Sequence, residues 1–105
     1  MPEINIDIAQ IPYLKSFGLA KCSPTVTNIG KAEKLEYLGL DGYQCMDLSE
    51  FSHLTGLKDF RLYYSQIRSL DGIESLTNLE YLDIAYAKNL QDVSALGRLE
   101  QKHKI

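Results

Sequence analysis

The sequence predicts an α/β fold of the solenoid kind: stacked units that each give one strand to a parallel β-sheet and return through a short 3₁₀ or helical segment. Two observations carry the prediction. Leu35, Leu38 and Leu40 are answered by Leu57, Phe60 and Leu62 and again by Leu79, Leu82 and Ile84, at a constant step of 22 residues. A period of that length marks small supersecondary units that bury a continuous core only by leaning on their neighbours. Inside each unit two spacings alternate. Segments such as YLGLD (37–41) run at period two, which places Leu38 and Leu40 on one side of a strand and Tyr37, Gly39 and Asp41 on the other. The next half runs at threes, as in Leu70, Ile73, Leu76 and Leu79, a spacing that suits the eclipsed side chains of a 3₁₀-like return better than a long α-helix.

The elements follow in chain order. Residues 1–13 read as an N-terminal cap, where Ile4, Ile6, Ile8 and Ile11 fit an alternating strand. Ile8, Ile11 and Leu14 fit a return segment equally well. The unit 14–34 is one residue shorter than the others and carries Leu14, Phe17, Leu19, Val26, Ile29 and Ala32. In 35–56 the apolar slots are Leu35, Leu38, Leu40, Cys45, Leu48, Phe51 and Leu54, matched one for one in 57–78 by Leu57, Phe60, Leu62, Ile67, Leu70, Ile73 and Leu76. The unit 79–101 keeps Leu82 and Ile84, then reaches Leu90, Val93, Leu96 and Leu99 one residue late, which reads as an insertion in the turn around Ala87–Asn89. Continuing the register makes 102–105 a partial strand, with Lys102 in an apolar slot. A lysine there blunts an open sheet edge, so a monomer is expected rather than a homodimer.

The segment LKDFRLYYSQIRSLDGIESLTN (57–78) resembles the leucine-rich repeat family, in the short bacterial form seen in internalins, whose pattern runs L-x-x-L-x-L-x-x-N-x-I/L with apolar residues at threes thereafter. The resemblance covers roughly residues 14 to 101. It implies a curved horseshoe with the sheet on the concave face, the 3₁₀ or helical returns on the convex face, and a protein partner on the concave strands. Where the family usually places asparagine, this chain has Cys22, Tyr43, Ser65 and Ala87, of which only Ser65 and, more weakly, Cys22 could donate a comparable hydrogen bond.

On that frame, the third, fifth, seventh and eighth positions of the last three units form the concave surface. They are Tyr37, Gly39, Asp41 and Gly42, then Asp59, Arg61, Tyr63 and Tyr64, then Tyr81, Asp83, Ala85 and Tyr86. Five of the chain's seven tyrosines fall there, on the side away from the core, and aromatics with arginine are what interface centres enrich. The partner-binding residues are therefore expected to be Tyr37, Asp41, Asp59, Arg61, Tyr63, Tyr64, Tyr81, Asp83 and Tyr86, with Tyr63 and Tyr81 as anchors. Arg61 shares its strand face with Asp59 and should lie beside Asp83 of the next strand. Because the patch is mildly acidic, the expected partner is a protein with a Lys or Arg protrusion.

Composition bounds the remaining classes. The 105 residues, 45% of them hydrophobic, suit one small domain, and a net charge of −3 argues against a nucleic-acid partner. MPEINIDIAQ lacks the basic and apolar regions of a secretory signal and no run reaches transmembrane length, so no membrane association and a cytoplasmic location are expected. Cys22 and Cys45 stand 23 residues apart, near one step, and read as small buried hydrophobes of a reducing compartment rather than a disulfide. His53 and His103 have no ligand at metal spacing. Arg98, Lys102, His103 and Lys104 read as a solvated basic end. No phosphate loop, nucleophile elbow or zinc-protease motif occurs, so neither a cofactor nor an enzymatic activity is expected. Asp41 and Asp83 could face one another two strands apart as a glycosidase pair would, but an open sheet face offers no water-excluding pocket. The reading is a protein–protein interaction module, one form of which is an inhibitor or immunity-like protein. The alternative is a structural remnant, a truncated solenoid that self-associates through its open end.

Overall fold

Period-two stretches with leucine or phenylalanine on one side become strands wherever a neighbour of the same pattern lies one step away. The computed structural model describes residues 5–21 and 26–98. Expectations attached to Ile4, Cys22 and residues 99–105, including the Lys102 edge and the partial strand 102–105, lie outside the described residues. Among the described residues six strands form: β1 (Ile6–Asp7), β2 (Ser16–Leu19), β3 (Val26–Thr27), β4 (Tyr37–Asp41), β5 (Asp59–Tyr63) and β6 (Tyr81–Ala85). All pairings are parallel. β2, β4, β5 and β6 make a four-stranded sheet in that order, and β1 pairs with β3 separately.

Each strand of the larger sheet begins at the third residue of its unit, and Tyr37, Asp59 and Tyr81 stand in register. The carbonyl oxygens of Lys15, Glu36 and Lys58 each accept two amides from the following strand: Glu36 and Tyr37, Lys58 and Asp59, Glu80 and Tyr81, at 2.8–3.1 Å. The same ladder device thus recurs at every step.

The spacing of three has an equally direct cause. The amides of Phe51, Leu54 and Leu57 donate to the carbonyls of Leu48, Phe51 and Leu54, and those of Ile73, Leu76 and Leu79 donate to Leu70, Ile73 and Leu76, at 2.9–3.1 Å. Within each return the buried residues are thus linked in steps of three, while its first residue, Leu48 or Leu70, donates to a carbonyl of the next layer, Asp71 or Asp92. Short 3₁₀ segments mark these returns at Ile29–Lys31, Ser49–Phe51, Ile73–Ser75 and Ser94–Arg98, and no α-helix occurs among the described residues. No helix among them is long and apolar enough to cross a membrane.

The inward rows meet in one core. All seven apolar slots of 57–78 are fully buried, and Phe51 packs edge-on against Phe60 with ring centroids 5.6 Å apart. Each such side chain contributes about 1.5–3 kcal/mol by leaving water. Gly72 sits under this stack with φ 105°, and a Cβ there would lie 2.5 Å from the Leu48 carbonyl, so the position needs glycine for both conformation and close approach.

The N-terminal ambiguity resolves by division. Ile6–Asp7 forms the strand, paired with Val26–Thr27, and Ile8–Gln10 forms a 3₁₀ turn that Asp7 caps by accepting from the Ala9 amide at 3.0 Å. The expected insertion is also visible, because Tyr63 pairs with Ala85 at a separation of 22 whereas the bridge Ser69–Asp92 spans 23.

Three expectations are corrected. Cys45 is exposed, not a buried slot residue, because the larger ring of Tyr43 takes the interior instead. That ring packs 5.1 Å from Phe51 and its hydroxyl donates to Glu50 Oε1 at 2.7 Å. Burial, and next the bond to Glu50, push the Tyr43 phenol far above its ordinary pKa. Ser65 is buried, but its hydroxyl meets no hydrogen-bond partner among the described residues, so no asparagine-like bond is formed there. Val93 is 49% exposed, not a buried slot residue.

Two stability outcomes follow. Leu62→Asp places an uncompensated charge in a fully buried slot and should abolish the cooperative melt of so small a domain, whereas a transition within a few degrees of wild type would contradict the placement. Ser65→Ala removes a buried hydroxyl that has no partner and should raise stability by about 1 kcal/mol, read as a higher urea midpoint at unchanged slope.

Candidate functional site

The outward side chains of the four-stranded sheet fall into rows set by the register. One row runs Ser16, Tyr37, Asp59, Tyr81, the next Gly18, Gly39, Arg61, Asp83, and the third Asp41, Tyr63, Ala85. Outward residues of β4, β5 and β6 are half-buried by one another, while the intervening leucines, phenylalanine and isoleucine point into the core. Seven of the nine expected site residues, Tyr37, Asp41, Asp59, Arg61, Tyr63, Tyr81 and Asp83, therefore share one sheet face, and Tyr64 and Tyr86 lie past its strand ends.

Arg61 organises its centre. Its Nε and Nη2 donate to the two carboxylate oxygens of Asp59 at 3.1 and 3.3 Å, and its guanidinium carbon lies 4.9 Å from the Tyr81 ring centre and 5.9 Å from that of Tyr37. Charge and two rings thus fix a side chain that would otherwise sample many rotamers. The carboxylate of Asp59, first by hydrogen bond and then by charge, drives the already high pKa of Arg61 higher, so the cation is permanent. Although Asp83 stands opposite Arg61 in register, it is bound instead by Tyr63, whose hydroxyl donates to Oδ2 at 2.8 Å. That bond is the main cause of a raised Tyr63 phenol pKa, with desolvation second.

Tyr64 and Tyr86 lie just past the ends of β5 and β6. Their rings stack at 4.5 Å, 4° from parallel, and remain 55% and 68% exposed. Both take left-handed backbone, φ 54° and 57°, as does Gly42 at the equivalent position with φ 83°. A left-handed tyrosine costs about 1–2 kcal/mol, which the stacking of about 0.5–1.5 kcal/mol only partly offsets. Gly42 was the sequence signal for this turn, since glycine is the usual occupant of such a position.

Asp41 stands apart from these pairs. It has no hydrogen-bond or ion-pair partner among the described residues, and it lines a shallow depression of about 390 Å³ with Gly18, Gly39, Tyr37, Arg61 and Tyr63. Gly18 pairs with Gly39 across β2 and β4, a juxtaposition that the 22-residue step does not give because the two stand 21 residues apart. Among the described residues no three His, Cys, Asp or Glu side chains gather as metal ligands would. Chemically the face presents aromatic rings, one fixed cation and carboxylates, a set suited to recognition. Compared with models of known protein families and with curated proteins, the chain matches none.

The Tyr63–Asp83 bond carries a pH signature. Because the folded phenol pKa is raised, the bond's contribution is full below the ordinary value of 10.0 and is lost as pH rises through the folded value. In an alkaline titration followed at 295 nm, Tyr63→Phe should remove one late-ionising phenol, and removal of an early one would show that the bond does not form.

Proposed function

We propose that the chain is a leucine-rich-repeat solenoid, curved so that the four-stranded sheet is concave, and that it binds a protein partner across that sheet as a cytoplasmic interaction module of the inhibitor or immunity-like kind. The observation that carries this reading is the fixed cluster of Tyr37, Asp59, Arg61 and Tyr81. Aromatic and arginine side chains already held in place lose little freedom on docking, which is what makes such groups effective anchors. Arg61 stands at the middle of the patch with Tyr63 on the same central strand, Tyr81 opens the neighbouring edge strand, and Tyr64, Tyr86, Asp41 and Asp83 complete the surface.

The test compares Tyr63→Ala with Tyr81→Ala against His53→Ala, an exposed residue of the return side. Glu74 makes a poorer control because its carboxylate accepts from the Gly72 amide at 3.0 Å. Loss of both anchors should weaken a captured partner by about thirtyfold or more, corresponding to about 2 kcal/mol, with a cooperative melt retained. A partner that holds the double variant as tightly as wild type, and loses affinity for His53→Ala, assigns function to the other face.

A second reading, self-association through the last layer, draws on the uncovered Val93 and the half-buried Leu90 and Leu96. Sedimentation separates the two: a monomer supports docking of a foreign partner, and a dimer lost on Val93→Asp supports self-capping.

A further inference from the structure

The middle outward row changes character halfway along. On β5 and β6 it holds Arg61 and Asp83, and on β2 and β4 it holds only Gly18 and Gly39, where the Tyr37 phenol covers Gly39 and the space over Gly18 is open. Gly39 stands in register with Arg61. The position next to Arg61 thus lacks the side chain that the β5 position has, while the surroundings supply what an arginine uses there. Tyr37 lies across Gly39, its hydroxyl 2.7 Å from where a Cβ would stand, Tyr63 forms a second aromatic side, and Asp41 projects a carboxylate into the same space.

Charge decides what fits. Arg61 is matched by both oxygens of Asp59, and Asp83 accepts from Tyr63, so Asp41 is the charged lining group without a partner among the described residues. A flat cation satisfies it best, since a guanidinium can pair with a carboxylate edge-on and lie against rings with its face, as Arg61 itself does with Asp59 and Tyr81. Resting on the reading that a protein docks on this sheet, we propose that the depression over Gly18, beside the Tyr37 ring that covers Gly39, receives one arginine side chain of that partner, its guanidinium paired with Asp41 between Tyr37 and Tyr63.

The test uses N-acetyl-arginine amide as the probe and follows backbone amide shifts by NMR at constant ionic strength. N-acetyl-citrulline amide, of the same shape but neutral, and N-acetyl-lysine amide serve as comparisons. The arginine probe should move the amides of Gly18, Gly39, Asp41 and Tyr63 saturably with a Kd on the order of 1 mM, about −4 kcal/mol. Asp41→Asn should weaken it about tenfold, the loss of one charge-assisted pair. Gly18→Leu, which fills the open part of the floor, should abolish saturation, and Asp41→Glu should retain it, with melts confirming that each variant is folded. Equal binding by Asp41→Asn, saturation by citrulline amide, tighter binding of lysine amide, or shifts centred on Tyr64 and Tyr86 would each overturn the assignment. The titration needs no partner protein, so a flat response removes the arginine receptor alone, while indifference of a captured partner to Tyr63 and Tyr81 removes the docking face alone.

Discussion

The hydrogen-bonded register between β4, β5 and β6 is the constraint on which the rest of the molecule depends. Strand side chains alternate between faces, so a slip of one residue in any strand would turn its leucines outward and its tyrosines inward. The slip is resisted twice over. On the sheet side, the carbonyls of Glu36 and Lys58 each hold two amides of the next strand. On the return side, the three-step chain of bonds through Leu48, Phe51, Leu54 and Leu57, and through Leu70, Ile73, Leu76 and Leu79, sets where each following strand begins. Because both halves close on the same buried side chains, packing and hydrogen bonding enforce one alignment.

The outer face is a by-product of that alignment with properties of its own. Rows of aligned side chains let Arg61 reach rings on both neighbouring strands, and they let Tyr63 reach the carboxylate that stands opposite Arg61. Where a row runs into glycine, the same alignment lets the Tyr37 ring lie over Gly39 and leaves Gly18 open, and where a left-handed turn recurs it brings Tyr64 and Tyr86 into parallel contact. None of these contacts supports the core. The face can therefore vary in chemistry without altering the fold beneath it, which is the physical basis for reading it as the functional side.

Much of this was legible in the chain because periodicity is a backbone property. The 22-residue step, the period-two strands and the spacing of three each correspond to a specific set of hydrogen bonds, and the one-residue insertion before Asp92 left its trace in the spacing of leucines. Side-chain choices were harder to read. Cys45 and Tyr43 compete for one interior position, and the pattern of leucines says nothing about which wins. The Arg61 pairing was ambiguous for the same reason: Asp59 and Asp83 are both within reach by register, and only the rotamers, with Tyr63 taking Asp83, separate them. The Gly18–Gly39 floor crosses the irregular 21-residue step, so it became apparent only with the strand pairing in hand.

Native-state amide hydrogen exchange tests most directly whether the layers, each a strand with its three-step return, form one cooperative unit. The amides of Asp59 and Tyr81 report the sheet ladder, and those of Leu57 and Leu79 report the returns that precede the same strands. If register and packing enforce one another, all four should open with a common free energy equal to that of global unfolding. Strand amides that stay protected while Leu57 and Leu79 exchange freely would mean that the sheet stands without its returns, and would contradict the account.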